Sequence, residues 1–194
     1  MIIYDIRYMR SMKLFNNRKM LVFKSVLFCL LFSCLNAENI CFKNVTVHGY
    51  NLHNHTIEKV IISSNNLKDE LPKFVFDTIE MENENVAVLY ENCISDMDSL
   101  KELLLKKNGI QEIRPGALKN LPALRIIKLN GNKLKTIKRG VFNNLLVSEI
   151  DLRENEIEFI EDTAFNNMPQ LLVIRLTLNK LTKWNKIGFS THLT

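Results

Sequence analysis

One frame, L-x-x-L-x-L-x-x-N-x-L, returns four times in succession and limits what this chain can fold into. It reads Leu100, Leu103, Leu105, Asn108 and Ile110, then Leu124, Ile127, Leu129, Asn132 and Leu134. The third copy is Val147, Ile150, Leu152, Asn155 and Ile157, and the fourth is Leu171, Ile174, Leu176, Asn179 and Leu181. Successive asparagines are 24, 23 and 24 residues apart. Alternation at the fourth and sixth positions has the period of a strand, with the intervening side chains facing the opposite way. A strand this short cannot bury its apolar face alone, so each copy must stack on the next as a parallel ladder. The rest of each coil carries its own apolar marks: Ile113 with Ala117-Leu118, Ile137 with Val141-Phe142, Ile160 with Ala164-Phe165, and Trp184 with Gly188-Phe189.

A polar amide that keeps its place among leucines has a backbone task. Where the chain turns out of the strand, N–H and C=O groups face inward and need partners. An Asn side chain supplies two donors and an acceptor, so stacked asparagines bridge neighbouring coils. The expected ladder is Asn65, Asn108, Asn132, Asn155 and Asn179. Its upstream members come from looser copies of the frame. Ile57, Val60, Ile62, Asn65 and Leu67 fit every position. Glu84, Ala87, Leu89, Asn92 and Ile94 fit all but the first, and the step from Asn92 to Asn108 is only 16 residues, so an irregular coil is expected there.

Upstream of the repeats, Arg18, Lys19 and Lys24 flank the apolar run Val26–Leu35, which ends at Asn36-Ala37. That is the order of a secretory signal peptide cleaved after Ala37, and the run is shorter than the roughly 20 residues that span a bilayer. Six basic side chains and Asp5 fall within residues 1–37, so the net charge of +5 belongs to the leader, and the remainder carries 20 residues of each sign. No argument for nucleic acid or an anionic membrane as partner survives that balance. Outside the leader stand Cys41 and Cys93, an even pair in a chain bound for an oxidising compartment; a disulfide is expected, with two separate buried thiols as the alternative. Asn44-Val45-Thr46 and Asn54-His55-Thr56 are N-glycosylation acceptors. His48, His53 and His55 cluster without further ligands at metal spacing, and no nucleophile elbow, phosphate loop or HExxH stretch occurs. The expectation is no metal, no cofactor and no catalysis.

The frame, extended by I-x-x-x-A-F-x-N-L-P, resembles extracellular leucine-rich repeat proteins of the 24-residue type. The segment ENICFKNVTVHGY around Cys41 resembles the N-terminal cap of secreted insect members of that family. The resemblance implies an α/β-type solenoid with a curved parallel sheet on its concave face and irregular loops with short helical turns on its convex face. It also implies recognition of an extracellular protein or microbial ligand in adhesion, development or innate immunity. The expected domains are a leader at 1–37, a cap at 38–56, and about six coils over 57–194, the last uncapped. The alternatives are a structural or matrix protein that dimerises through that last coil, or a fragment of a larger leucine-rich repeat receptor. Outward strand positions give the expected binding surface: Ile61, Val86, Val88, Tyr90, Leu104 and Ile126 as an apolar stripe, with Lys106 and Lys128 beside it.

Overall fold

The structure, a computed structural model, describes residues 40–51, 55–71 and 76–182. The leader at 1–37, Asn54, His53 and Trp184 lie outside these residues. The described residues fall within one compact unit, Ile40–Thr194. It opens with an antiparallel hairpin, β1 (Val45–Asn51) and β2 (Thr56–Ile62), followed by one turn of helix, α1 (Leu67–Glu70). Asn66 caps that turn by accepting from the Lys68 N–H, and its own amide donates to Ser95 Oγ at 2.8 Å.

From Phe76 onward each coil lays down extended pieces in a fixed order. The first has β3 (Thr78–Glu82), β4 (Val88–Leu89) and β5 (Ile94–Ser95). The second has β6 (Glu102–Lys106), β7 (Glu112–Ile113) and β8 (Leu118–Lys119). The third has β9 (Ile126–Lys128), β10 (Thr136–Ile137) and β11 (Phe142–Asn143). The fourth has β12 (Glu149–Asp151), β13 (Phe159–Ile160) and β14 (Phe165–Asn166), and the fifth begins with β15 (Val173–Arg175). The main sheet has the order β15-β12-β9-β6-β3-β1-β2 and is parallel from β3 to β15. The later pieces pair as four two-stranded side ladders, β4 with β7, β10 with β13, β5 with β8 and β11 with β14. Leu103, Leu105, Ile127, Leu129, Ile150 and Leu152 are all buried, as the alternation requires, and stacked rings of Phe142 and Phe165 at 5.3 Å fill the far side of the core.

Three expectations are corrected here. The side away from the main sheet has the expected irregular loops, but paired two-residue strands take the place of the short helical turns; α1 is the one α-helix among the described residues. The first coil also sits eight residues earlier than the Asn92 frame, because Ile79 pairs with Leu103 and Met81 with Leu105, which puts Glu84 in the asparagine position. The period is therefore regular, and the 16-residue step disappears. Finally, the frame at Ile57 does mark a strand parallel to the coils, with Ile62 buried and Val60 packed against the core, but β2 does not stack on them. β1 lies between β2 and β3, antiparallel to both, so the hairpin is part of the cap. The cap thus extends past residue 56, and the coils start at Phe76. Phe76 fills the space over Gly49 in β1, where an added Cβ would meet its ring at 2.5 Å.

Cys41 and Cys93 form the disulfide, joining the cap to the first coil across 52 residues with a Cα–Cα distance of 6.0 Å. Beside it the Leu67 N–H donates to the Cys93 carbonyl.

The asparagine ladder runs through Asn108, Asn132, Asn155 and Asn179, each reaching back to the preceding coil. Asn132 Oδ1 accepts from the N–H groups of Asn108 and Ile110, both at 3.0 Å, and its Nδ2 donates to the carbonyls of Leu105 and Leu129. Asn155 does the same for Leu134 N–H and the Leu129 carbonyl, and Asn179 for Ile157 N–H and the Leu152 carbonyl. Asn108 closes the first coil on the Glu84 N–H and the Met81 carbonyl. Asn65 is exposed and outside the ladder, because β2 has no parallel neighbour whose turn it could bridge. Replacing Asn132 by Leu strands these buried groups; the variant is expected to lose roughly 1–3 kcal/mol in chemical denaturation, and an unchanged midpoint would remove the ladder from the stability argument.

Candidate functional site

The open face of the main sheet collects every second side chain of its strands. Register fixes two rows across it. One runs His48, Glu80, Leu104, Lys128, Asp151, Arg175; the other runs Tyr50, Thr78, Glu102, Ile126, Glu149, Val173. At the middle of the face Leu104 and Ile126 are half-buried neighbours on β6 and β9, enclosed by charged side chains. Most of those charges are already answered. Glu80 accepts from Tyr50 Oη at 3.0 Å and meets Lys106 Nζ at 3.6 Å; Glu82 meets Lys107 at 3.5 Å; Glu149 meets Arg175 at 3.0 Å. Burial and the Glu80 carboxylate together push the Tyr50 phenol up, so it serves as a neutral donor. Glu102 and Lys128 have no ion pair among the described residues, and both border the aliphatic pair.

The sequence-derived surface is only partly assembled. Leu104, Lys106, Ile126 and Lys128 share the open face as expected. Val86 does not: it is buried, in the position that Ile110 holds in the next coil. Val88 lies in the β4–β7 side ladder opposite Glu112, and Tyr90 packs there under the Arg114 guanidinium at 4.6 Å. All three were displaced by the eight-residue frame shift. Ile61 is on the open face but at its far edge, with β1 and β3 between it and Leu104. No continuous stripe forms.

Asp151, an acid at an outward strand position, is buried, which the spacing of the frame does not foretell. Arg153 clasps it with Nε and a terminal nitrogen, at 2.9 and 2.7 Å to the two carboxylate oxygens, and its backbone N–H adds a third contact. Burial acts to raise the carboxyl, but the Arg153 hydrogen bonds and charge, with Arg175 behind them, outweigh it and hold Asp151 below its ordinary value. A depressed folded pKa contributes stability that is present above the unfolded value and lost as pH falls through the folded one. Asp151→Asn is therefore expected to be less stable at neutral pH and to show a shallower loss of Tm from about pH 4 downward than the unsubstituted chain; parallel acid limbs in thermal melts would count against this.

A leucine-rich repeat family model matches residues 98–148 and 146–191. No curated protein matches the chain. Among solved structures, the crystal structure of the TLR13–ssRNA13 complex is similar, with a TM-score of 0.52 and 23% identity, over 55% of this chain and 15% of that one. This chain thus spans about 15% of the length of the TLR13 chain, and the likeness is one of fold. The repeat matches, the regular coil and the asparagine ladder give the described coils the fold of a leucine-rich repeat solenoid.

Proposed function

We propose that this chain is a secreted leucine-rich repeat module that recognises an extracellular protein through the open face of its sheet, centred on Leu104 and Ile126. The observation that carries this reading is the half-exposed aliphatic pair between Glu102 and Lys128, two charges left unpaired among the described residues. A partner that seats an apolar side chain over the pair and answers the two charges gains burial at the centre and orientation at the rim. Lys106, held by Glu80, sets one border of the site. The leader supports secretion.

The test is binding of the secreted chain to an array of extracellular proteins and microbial surface molecules. Leu104→Glu is expected to weaken any true partner by at least about tenfold, about 1.4 kcal/mol, with Tm nearly unchanged. Glu158→Lys, at an exposed residue just before β13 and off the open face, is the control; equal effects of the two changes would move the site elsewhere.

A second reading has its own observation. Leu172 and Leu178 are 83% and 74% exposed beside β15, the outermost parallel strand, which suits self-association of a structural or matrix protein. Under that reading light scattering finds a concentration-dependent mass that Leu178→Glu abolishes; a monomer at all concentrations sets it aside.

A further inference from the structure

We propose that Asn44 carries an N-linked glycan that covers the free edge of the cap hairpin at Ile61. The inference rests on the secreted reading above. Asn44 heads the acceptor tripeptide Asn44-Val45-Thr46. It is exposed, in the left-handed turn (φ 53°) that leads into β1. Ser63, across the mouth of the hairpin, fixes the side chain from one side only. Its hydroxyl accepts from the Asn44 backbone N–H at 2.9 Å and donates to Asn44 Oδ1 at 3.0 Å. The carboxamide is thus held by its oxygen, and Nδ2, the atom a sugar would take, has no partner among the described residues. The ladder asparagines are the contrast: Asn108, Asn132, Asn155 and Asn179 all use Nδ2 to donate to backbone carbonyls.

The chemistry is a group transfer from a lipid-pyrophosphate-linked oligosaccharide in the secretory lumen. The bond between the sugar C1 and the pyrophosphate oxygen breaks, the C1–Nδ2 bond forms, Nδ2 loses one proton, and the lipid pyrophosphate leaves. The reaction leaves Oδ1 untouched as an acceptor, so the Ser63 contact to it is kept.

The location gives the glycan a task. β2 is the terminal strand of the sheet and shows Ile57 and Ile61, 69% and 67% exposed, on the open face. Lys59 stands between them, and a terminal strand that exposes apolar side chains on either side of a single charge is still a template for another strand. Val45 pairs with Ile62 and Thr46 with Ile61, so Asn44 is the next step beyond them, beside Ser63. A bulky hydrophilic group there blocks approach along β2 from that end. It leaves Leu104 and Ile126 clear, since β1 and β3 intervene.

The experiment uses the full chain secreted from eukaryotic cells, with peptide mapping after enzymatic deglycosylation in heavy-oxygen water. The expected result is heavy-labelled Asp at position 44, absent in Thr46→Val. A secreted chain with unmodified Asn44 overturns the glycan and leaves secretion standing; a chain retained in the cytosol with its leader intact overturns both. Light scattering then reads the covering role. Deglycosylated protein is expected to self-associate, and deglycosylated Ile61→Thr to stay monomeric. The same mass distribution with and without the glycan overturns that role.

Discussion

The side-chain amide of the ladder asparagines is the interaction on which the rest of this structure depends. Each coil turns sharply out of its strand while still inside the core, which leaves inward-facing N–H and C=O groups that no strand pairing can reach. Asn132 meets two of each, from its own coil and the preceding one. A leucine in its place would bury well but leave those groups without partners, and a buried unpaired backbone group costs more than an extra methyl gains. The bridging runs in one direction, each asparagine completing the coil before it, so the stack is cooperative from neighbour to neighbour. The first coil shows how little the rule demands of the N-terminal member. Glu84 occupies the asparagine position there, and its backbone is served by Asn108 from the coil above.

The corners of the coil depend on a second periodic constraint. Left-handed backbone recurs at Asn83, Lys107, Gly131, Glu154 and Leu178, at Asn92, Gly116, Gly140 and Thr163, and at Asp96, Asn120, Asn144 and Asn167. Asn and Asp tolerate that conformation better than most residues, which explains their choice in the last row. That row also bonds to itself: Asn120 donates to Asp96 at 2.6 Å and Asn167 to Asn144 at 2.6 Å. With corners set this way the remaining residues need only be extended, and two-residue strands replace helical turns on the far side. The last row keeps the same 24, 24 and 23 residue spacing as the coils, a regularity visible in the sequence once the period is known.

The open face follows from these constraints and is largely self-neutralised. Tyr50, Glu80 and Lys106 form one connected group, Glu149 and Arg175 another, and Asp151 is sealed by Arg153. Charges held in this way present a fixed pattern to a partner and contribute little to affinity by themselves. What distinguishes the centre is the aliphatic pair on β6 and β9, with Glu102 and Lys128 without an ion pair among the described residues. The cap contributes differently: its hairpin adds two strands to the sheet, and the Cys41–Cys93 link ties it to the first coil.

The sequence by itself determined the coil period, the inward and outward positions of each strand from Leu100 onward, and the bridging role of Asn108, Asn132, Asn155 and Asn179. All of these follow from local spacing, since a side chain's face and a turn's unmet hydrogen bonds are fixed within a single coil. Its asparagine pointed to the Asn92 frame for the first coil, because the frame that keeps the period, with Phe76, Ile79, Met81 and Val86 at the apolar positions, carries Glu84 where the asparagine is expected, and pairing with β6 reveals it. The sequence also could not tell that β2, though patterned like the other strands, has β1 rather than a coil as its neighbour. Which strands lie side by side is a long-range choice, made by Phe76 closing over Gly49 and by backbone pairing across the cap, and neither leaves a mark in the spacing of one segment. That choice dispersed the apolar stripe, sending Val86 into the core, Val88 and Tyr90 to the side, and Ile61 to the edge.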